Sequence, residues 1–205
     1  MNFILRLRML KRNSIKRAIP NGLTIFRCIA SIVLPIIIIY GDEPGAVIAP
    51  LLLALAGLSD YLDGFYARKY NVISNFGKIV DPIADKLLVI GVLFALAYDH
   101  MLSYYLAFIP ALFIILREIF ISGLRESIAE YNFSISVSIL AKWKTTIQLF
   151  ACGSFLVWRS HDFFYQLNMI AWISHVLLWL AAIITIITGI EYILKTNAFL
   201  KKLNK

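Results

Sequence analysis

The sequence predicts an all-α membrane protein: six transmembrane helices behind an N-terminal interfacial amphipathic helix, with both termini in the cytoplasm. Three observations carry this. Of 205 residues, 60% are hydrophobic, and the mean hydropathy is +0.80. Charged residues make up only 16%, against about a quarter in a soluble globular domain. The apolar residues gather into six long runs joined by short polar connections, which leave no room for a soluble domain.

Residues 1–19 mix Arg6, Arg8, Lys11, Arg12, Lys16 and Arg17 with Phe3, Ile4, Leu5, Leu7, Met9 and Leu10. They lack the unbroken apolar run and cleavage site of a signal peptide, and suit a helix lying on the inner leaflet. Residues 20–195 then form a six-helix bundle, and 1–205 make a single domain. The spans are expected near Leu23–Tyr40, Val47–Leu62, Ile79–Tyr98, Leu102–Ile121, Ile139–Trp158 and Met169–Ile193. Most approach the roughly 20 residues that cross about 30 Å of hydrocarbon. The connections hold Gly41-Asp42-Glu43-Pro44-Gly45, Asp99-His100 and Ser160-His161-Asp162.

Orientation follows from lysine and arginine. They cluster before the first span, between spans two and three (Arg68, Lys69, Lys78), around the turn between spans four and five (Arg117, Arg125, Lys142, Lys144), and at the C-terminus. The opposite connections hold only Arg159. Positive-inside places both termini in the cytoplasm, so the net charge of +8 faces anionic lipid heads and phosphorylated substrates. Basic residues spread along membrane flanks argue against a nucleic-acid partner. Cys28 and Cys152 have no metal or redox spacing and suit packing. Trp143, Trp158 and Trp172 suit interfacial anchoring, His175 packing, and Glu191 a pair with a neighbouring lysine.

The second span runs into Asp60, Asp63, Gly64, Ala67 and Arg68, at offsets 0, 3, 4, 7 and 8. On a helix these form one stripe. The third span repeats the device with Gly77, Asp81 and Asp85 at offsets 0, 4 and 8. One span runs toward the cytoplasm and the next away from it, so the stripes are expected at the same depth near the inner leaflet. Four carboxylates in a low-dielectric setting resist ionisation together unless a cation compensates them. Their hard oxygen donors suit Mg²⁺ or Mn²⁺, two ions about 4 Å apart in the arrangement used for phosphoryl transfer. The small residues would let a nucleotide lie against helix backbone. A blander account remains for each acid alone. Asp81 before Pro82 suits a helix N-cap, and Asp60 or Asp63 could pair with Arg68 or Lys86.

As a pattern, residues 60–85 read D-x2-D-G-x2-A-R-x8-G-x3-D-x3-D. This resembles the signature of the CDP-alcohol phosphotransferase family at every specified position, and the six-span layout resembles that family's fold. Ile19–Arg27, Arg117–Glu126 and Lys142-Trp143-Lys144-Thr145-Thr146 resemble members acting on glycerol 3-phosphate, with Gly22 where a bulkier apolar residue is commoner. The resemblance implies a metal-dependent enzyme of a bacterial inner membrane, acting as a homodimer. It would move the phosphatidyl group of CDP-diacylglycerol to glycerol 3-phosphate, releasing CMP. Asp60, Asp63, Asp81 and Asp85 would hold the metal ions, with Asp85 also the general base. Asn21, Gly64, Ala67, Arg68 and Gly77 would contact CDP.

The acceptor's own phosphate calls for cations, and arginine's bidentate fork suits it. Arg117, Arg125 and Lys142 are the candidates. Their plainer role is to snorkel at helix ends. Two other functions compete. One is the same chemistry with another acceptor, as in cardiolipin or phosphatidylinositol-phosphate synthesis. The other is divalent-metal transport, which expects acids at the bilayer midplane and an internal repeat; here the acids sit at one leaflet and no repeat is visible.

Overall fold

A computed structural model describes residues 3–70, 75–131, 139–160 and 168–203. The side chains of residues 3–19 and of Ala67, Arg68 and Lys142 fall outside that description, as does His161. The regular structure among the described residues is helical: α1 (Phe3–Tyr40), α2 (Glu43–Tyr70), α3 (Asn75–Tyr98), a 3-10 turn (Met101–Leu106), α4 (Phe108–Ala129), α5 (Ile139–Arg159) and α6 (Asn168–Leu203).

The expected interfacial segment and first span are one continuous helix, with Pro20 and Pro35 inside it. α1 ends at the predicted break. Gly41 donates its N–H to Ile37 O at 2.9 Å, and a side chain there would collide with that carbonyl. α2 opens two residues later with Glu43 in its first turn, where an acid complements the helix dipole. The fourth helix begins later than the expected Leu102. His100 (φ 59) and Leu106 (φ 56) adopt left-handed backbone around the 3-10 turn, and α4 starts only at Phe108.

The helices are apolar outside and mixed inside, the inverse of a water-soluble protein. On α1, Ile25, Ile29, Ile32 and Ile36 are exposed, whereas Thr24, Arg27, Ser31 and Leu34 are buried. On α6, Ile173, Val176, Leu180, Ile183 and Ile187 face outward and Ser174, His175, Thr185 and Thr188 inward. Such a surface suits hydrocarbon as its solvent. By length and composition, three stretches can cross a membrane: Pro20–Tyr40, Glu43–Tyr66 and Met169–Leu203. α3, α4 and α5 are interrupted by charged residues, among them Asp81, Asp85, Arg117, Glu118 and Lys144.

The chain forms two compact units, Met1–Ala95 and Leu96–Lys205. In the first, α1 packs along α2. α3 meets α1 at Gly91, where an added Cβ would lie 2.9 Å from Pro35 Cγ and 3.1 Å from Ser31 O. Only hydrogen fits, so the glycine sets how closely the two helices approach. In the second unit, α6 packs against α4 and α5. Its core includes His175, whose Nδ1 lies 2.6 Å from Ala171 O and whose ring packs against Phe155 and Trp158. Trp158, expected as an interfacial anchor, is buried against His175 and Tyr104 instead. Trp143 and Trp172 are exposed. Glu191 pairs with Lys195 at 2.6 Å, the neighbouring-lysine pair the sequence suggested.

Candidate functional site

In the first unit the site is built on three helices. The inward face of α1 carries Thr24 and, one turn on, Arg27, whose side chain is 0% exposed. α2 brings Asp60 and Asp63 to that face, and α3 brings Asp81 and Asp85. Arg27 Nη1 lies 2.8 Å from Asp60 Oδ1 and donates to Asp85 Oδ1 at 2.7 Å. Arg27 Nη2 donates to Asp63 Oδ2. Asp81 is held separately, its Oδ1 accepting from Thr24 Oγ1 at 2.6 Å. That hydroxyl also lies 3.1 Å from Pro20 O, so Thr24 is anchored to its own helix.

Both acidic stripes therefore turn inward, and α1 supplies the groups that collect them. The sequence offered Arg68 or Lys86 as counter-ions for Asp60 or Asp63; the side chain of Arg68 lies outside the described residues, and Arg27 pairs with Asp60, Asp63 and Asp85. Sequence reasoning passed over Arg27 and Thr24 as site residues. The signal was present, because an arginine inside an apolar span is expensive and marks a site.

The carboxylates are not equivalent. The side chain of Asp63 is nearly sealed, that of Asp60 is 48% exposed and that of Asp85 is 31% exposed. One guanidinium faces three carboxylates, so among these four groups negative charge is in excess. Hard oxygen donors with surplus negative charge fit a divalent cation by type and charge. Arg27 stands among them, and among the described residues no three acids, histidines or cysteines draw together around one point to form a ligand set by themselves. The remaining predicted contacts lie close by in sequence and on the same helices. Asn21 is half-buried one turn before Thr24. Gly64 is half-buried beside Asp63, and Gly77 is buried one turn before Asp81. Ala67 and Arg68 belong to α2.

The second unit carries the predicted acceptor cations. Arg117 on α4 is mostly buried and donates from Nη2 to Thr188 Oγ1 on α6 at 3.1 Å. Arg125, two turns on, is exposed, with its guanidinium carbon 5.6 Å from the centre of the Tyr192 ring on α6. Lys142 lies on α5. Beside them is a polar group that sequence reasoning missed. Glu118 is buried, and its Oε1 accepts from Lys144 Nζ at 2.5 Å and from Gln148 Nε2 at 3.3 Å. Lys144, counted in the sequence among the basic residues flanking the turn between spans four and five, is buried as well. The clue was a carboxylate and an ammonium in neighbouring apolar runs, each costly alone and tolerable as a pair.

Residues 17–187 match the protein family described as CDP-alcohol phosphatidyltransferase. The chain is 42% identical over 175 residues to the CDP-diacylglycerol–glycerol-3-phosphate 3-phosphatidyltransferase of Rickettsia bellii, covering 85% of this chain and 92% of that one. It is 40% identical over 177 residues to the Haemophilus influenzae protein of the same name, covering 85% and 91%. The Salmonella choleraesuis protein of that name is 34% identical over 183 residues, covering 85% and 92%.

Proposed function

The chain belongs to the CDP-alcohol phosphatidyltransferase family, and on that premise we propose that it transfers the phosphatidyl group of CDP-diacylglycerol to glycerol 3-phosphate. The products are phosphatidylglycerol phosphate and CMP. The observation that carries this reading is the gathering of Asp60, Asp63 and Asp85 from two helices around buried Arg27, with Asp81 tied to Thr24 beside them.

Asp60, Asp63, Asp81 and Asp85 would hold two divalent cations, Mg²⁺ or Mn²⁺, whose chemistry when bound is to offset charge on the donor diphosphate and the departing CMP. Arg27 keeps the carboxylates of α2 and α3 together. Asp85 has one oxygen on Arg27, leaving Oδ2 to take the proton of the acceptor's primary hydroxyl. That hydroxyl oxygen bonds to the β-phosphorus, the phosphoanhydride bond breaks, and CMP leaves with the electron pair. Asn21, Gly64, Ala67, Arg68 and Gly77 contact the CDP group, the glycines admitting it to helix backbone. Arg117, Arg125 and Lys142 bind the acceptor's phosphate. The same reading takes the chain as one homodimeric, six-span domain of a bacterial inner membrane. Residues 1–19 lie at the interface, and both termini and the site face the cytoplasm.

An acceptor panel tests the assignment. The purified protein receives CDP-diacylglycerol and Mg²⁺ with glycerol 3-phosphate, phosphatidylglycerol or inositol phosphate, and CMP release is followed. Release with glycerol 3-phosphate alone is expected. Release only with another acceptor would move the protein to that sibling activity.

A further inference from the structure

The second unit holds more buried polar groups than phosphate binding by three cations requires. Glu118, Lys144, Gln148 and Thr185 are all buried, on three different helices. Charges in an apolar bundle are expensive, and they persist where they serve a site.

Glu118 Oε1 is the centre of the group. Lys144 Nζ takes it at 2.5 Å, and Gln148 Nε2 lies 3.3 Å from it while also donating to Thr185 Oγ1 at 2.9 Å. Arg117 directly precedes Glu118 in the sequence, yet its Nη1 stands 3.5 Å away from that oxygen, beyond good hydrogen-bond length. Its one shorter bond is to a neutral hydroxyl, that of Thr188. Its Nε is buried with no hydrogen-bond partner. The guanidinium is nevertheless held in place. A Cβ at Gly189 would lie 3.1 Å from both Cγ and Nε of Arg117, so the arginine packs directly on α6 backbone. Arg117 and Lys144 against Glu118 leave one positive charge in excess. Lys144 holds the carboxylate at 2.5 Å, and Arg117 keeps only the longer 3.5 Å contact with it.

A plain ion pair joining α4 to α5 would account for Lys144 and Glu118. It does not explain why Arg117, held by Thr188 and Gly189, keeps the longer contact, since an arginine and a buried carboxylate within reach ordinarily close to a short, charge-assisted bond. We propose that Lys144 is a positioning residue for the acceptor site: by occupying Glu118 it prevents that carboxylate from capturing Arg117, whose guanidinium stays available for the phosphate of glycerol 3-phosphate. The inference rests on the reading of Arg117 as an acceptor-phosphate ligand.

The two claims separate in one set of variants, assayed in detergent for kcat and for the KM of each substrate. Arg117→Ala should raise the KM for glycerol 3-phosphate at least about tenfold, the worth of a charge-assisted hydrogen bond. Lys144→Met frees Glu118 to bind Arg117, and should raise the same KM about as much while leaving the KM for CDP-diacylglycerol unchanged. Adding Glu118→Gln to Lys144→Met removes the captor and should bring the KM most of the way back, a coupling that a merely structural pair would not produce. If Lys144→Met does not fold, Lys144→Ala, which likewise leaves Glu118 without its partner, runs the same comparison. No effect of Arg117→Ala overturns both readings. An effect of Arg117→Ala without one from the Lys144 variant, or without recovery in the double variant, overturns this inference and leaves the acceptor ligand standing.

Discussion

Arg27 Nη1 donates to Asp85 Oδ1 at 2.7 Å across 58 residues of sequence, joining the first helix of the chain to the third. The same nitrogen faces Asp60 of α2. One guanidinium thus sets the spacing of carboxylates that belong to two helices, and the site depends on α1 as much as on the residues of the acidic pattern.

Replacing Arg27 should therefore cost stability before it costs chemistry. Arg27→Gln leaves Asp63 nearly buried without its counter-ion, and losing one partner of a buried pair costs about 3 kcal/mol or more. Thermal unfolding in detergent, measured without divalent cations, should fall clearly. Arg27→Lys should recover little of it, because one ammonium cannot reproduce a two-nitrogen fork. Unchanged unfolding in Arg27→Gln would contradict the role given to this residue.

The approach of α3 to α1 should be equally sensitive. At Gly91 a methyl group would press on Pro35 and the Ser31 carbonyl, and overpacking of this kind costs about 1–3 kcal/mol. Gly91→Ala should lower both thermal stability and turnover, since α3 carries Asp81 and Asp85 to Thr24 and Arg27. Gly123→Ala serves as the control, for nothing lies within 4 Å of a Cβ there. Equal behaviour of the two variants would argue that this contact does not position the carboxylates.

Divalent cations should be required. Chelation is expected to abolish CMP release, and Mg²⁺ or Mn²⁺ to restore it, because three carboxylates face one guanidinium and leave negative charge in excess. Full activity after exhaustive chelation would remove the metal from the account.

The two arginines of α4 should differ. Arg117 is mostly buried and fixed between Glu118 and Thr188, whereas Arg125 is exposed over the Tyr192 ring. Exposed charges are worth less, so Arg125→Ala should raise the KM for glycerol 3-phosphate less than Arg117→Ala does. The reverse order would assign the phosphate to Arg125.

The legible part of this protein is its periodicity. Asp60 and Asp63, and Asp81 and Asp85, are spaced for one helix face, and the structure turns both pairs to α1. What the pattern could not show is which group they meet. Arg27 lies in the first apolar span, and its role depends on a tertiary contact that no local spacing encodes. Lys144 was obscured differently. Near a span end a lysine normally reaches for water, and only the facing carboxylate of Glu118 makes burial tolerable. Trp158 suggested an anchor by its position near a span end, yet it is buried edge-on against the His175 ring. The left-handed backbone at His100 and Leu106 carries no glycine or proline signal, so the 3-10 turn before α4 was invisible.

Phosphatidyl transfer should depend on the carboxylates gathered by Arg27 and Thr24. The most direct measurement is CMP release by the purified protein given CDP-diacylglycerol, glycerol 3-phosphate and Mg²⁺, beside Asp60→Asn, Asp63→Asn, Asp81→Asn and Asp85→Asn variants that elute as folded protein. The wild-type protein should release CMP in step with a phosphorylated lipid product. Asp85→Asn should fall by about two orders of magnitude or more, as loss of a general base does, and the other three should fall severely. Near-normal release from a folded Asp85→Asn protein, or none from the wild type, would contradict this dependence.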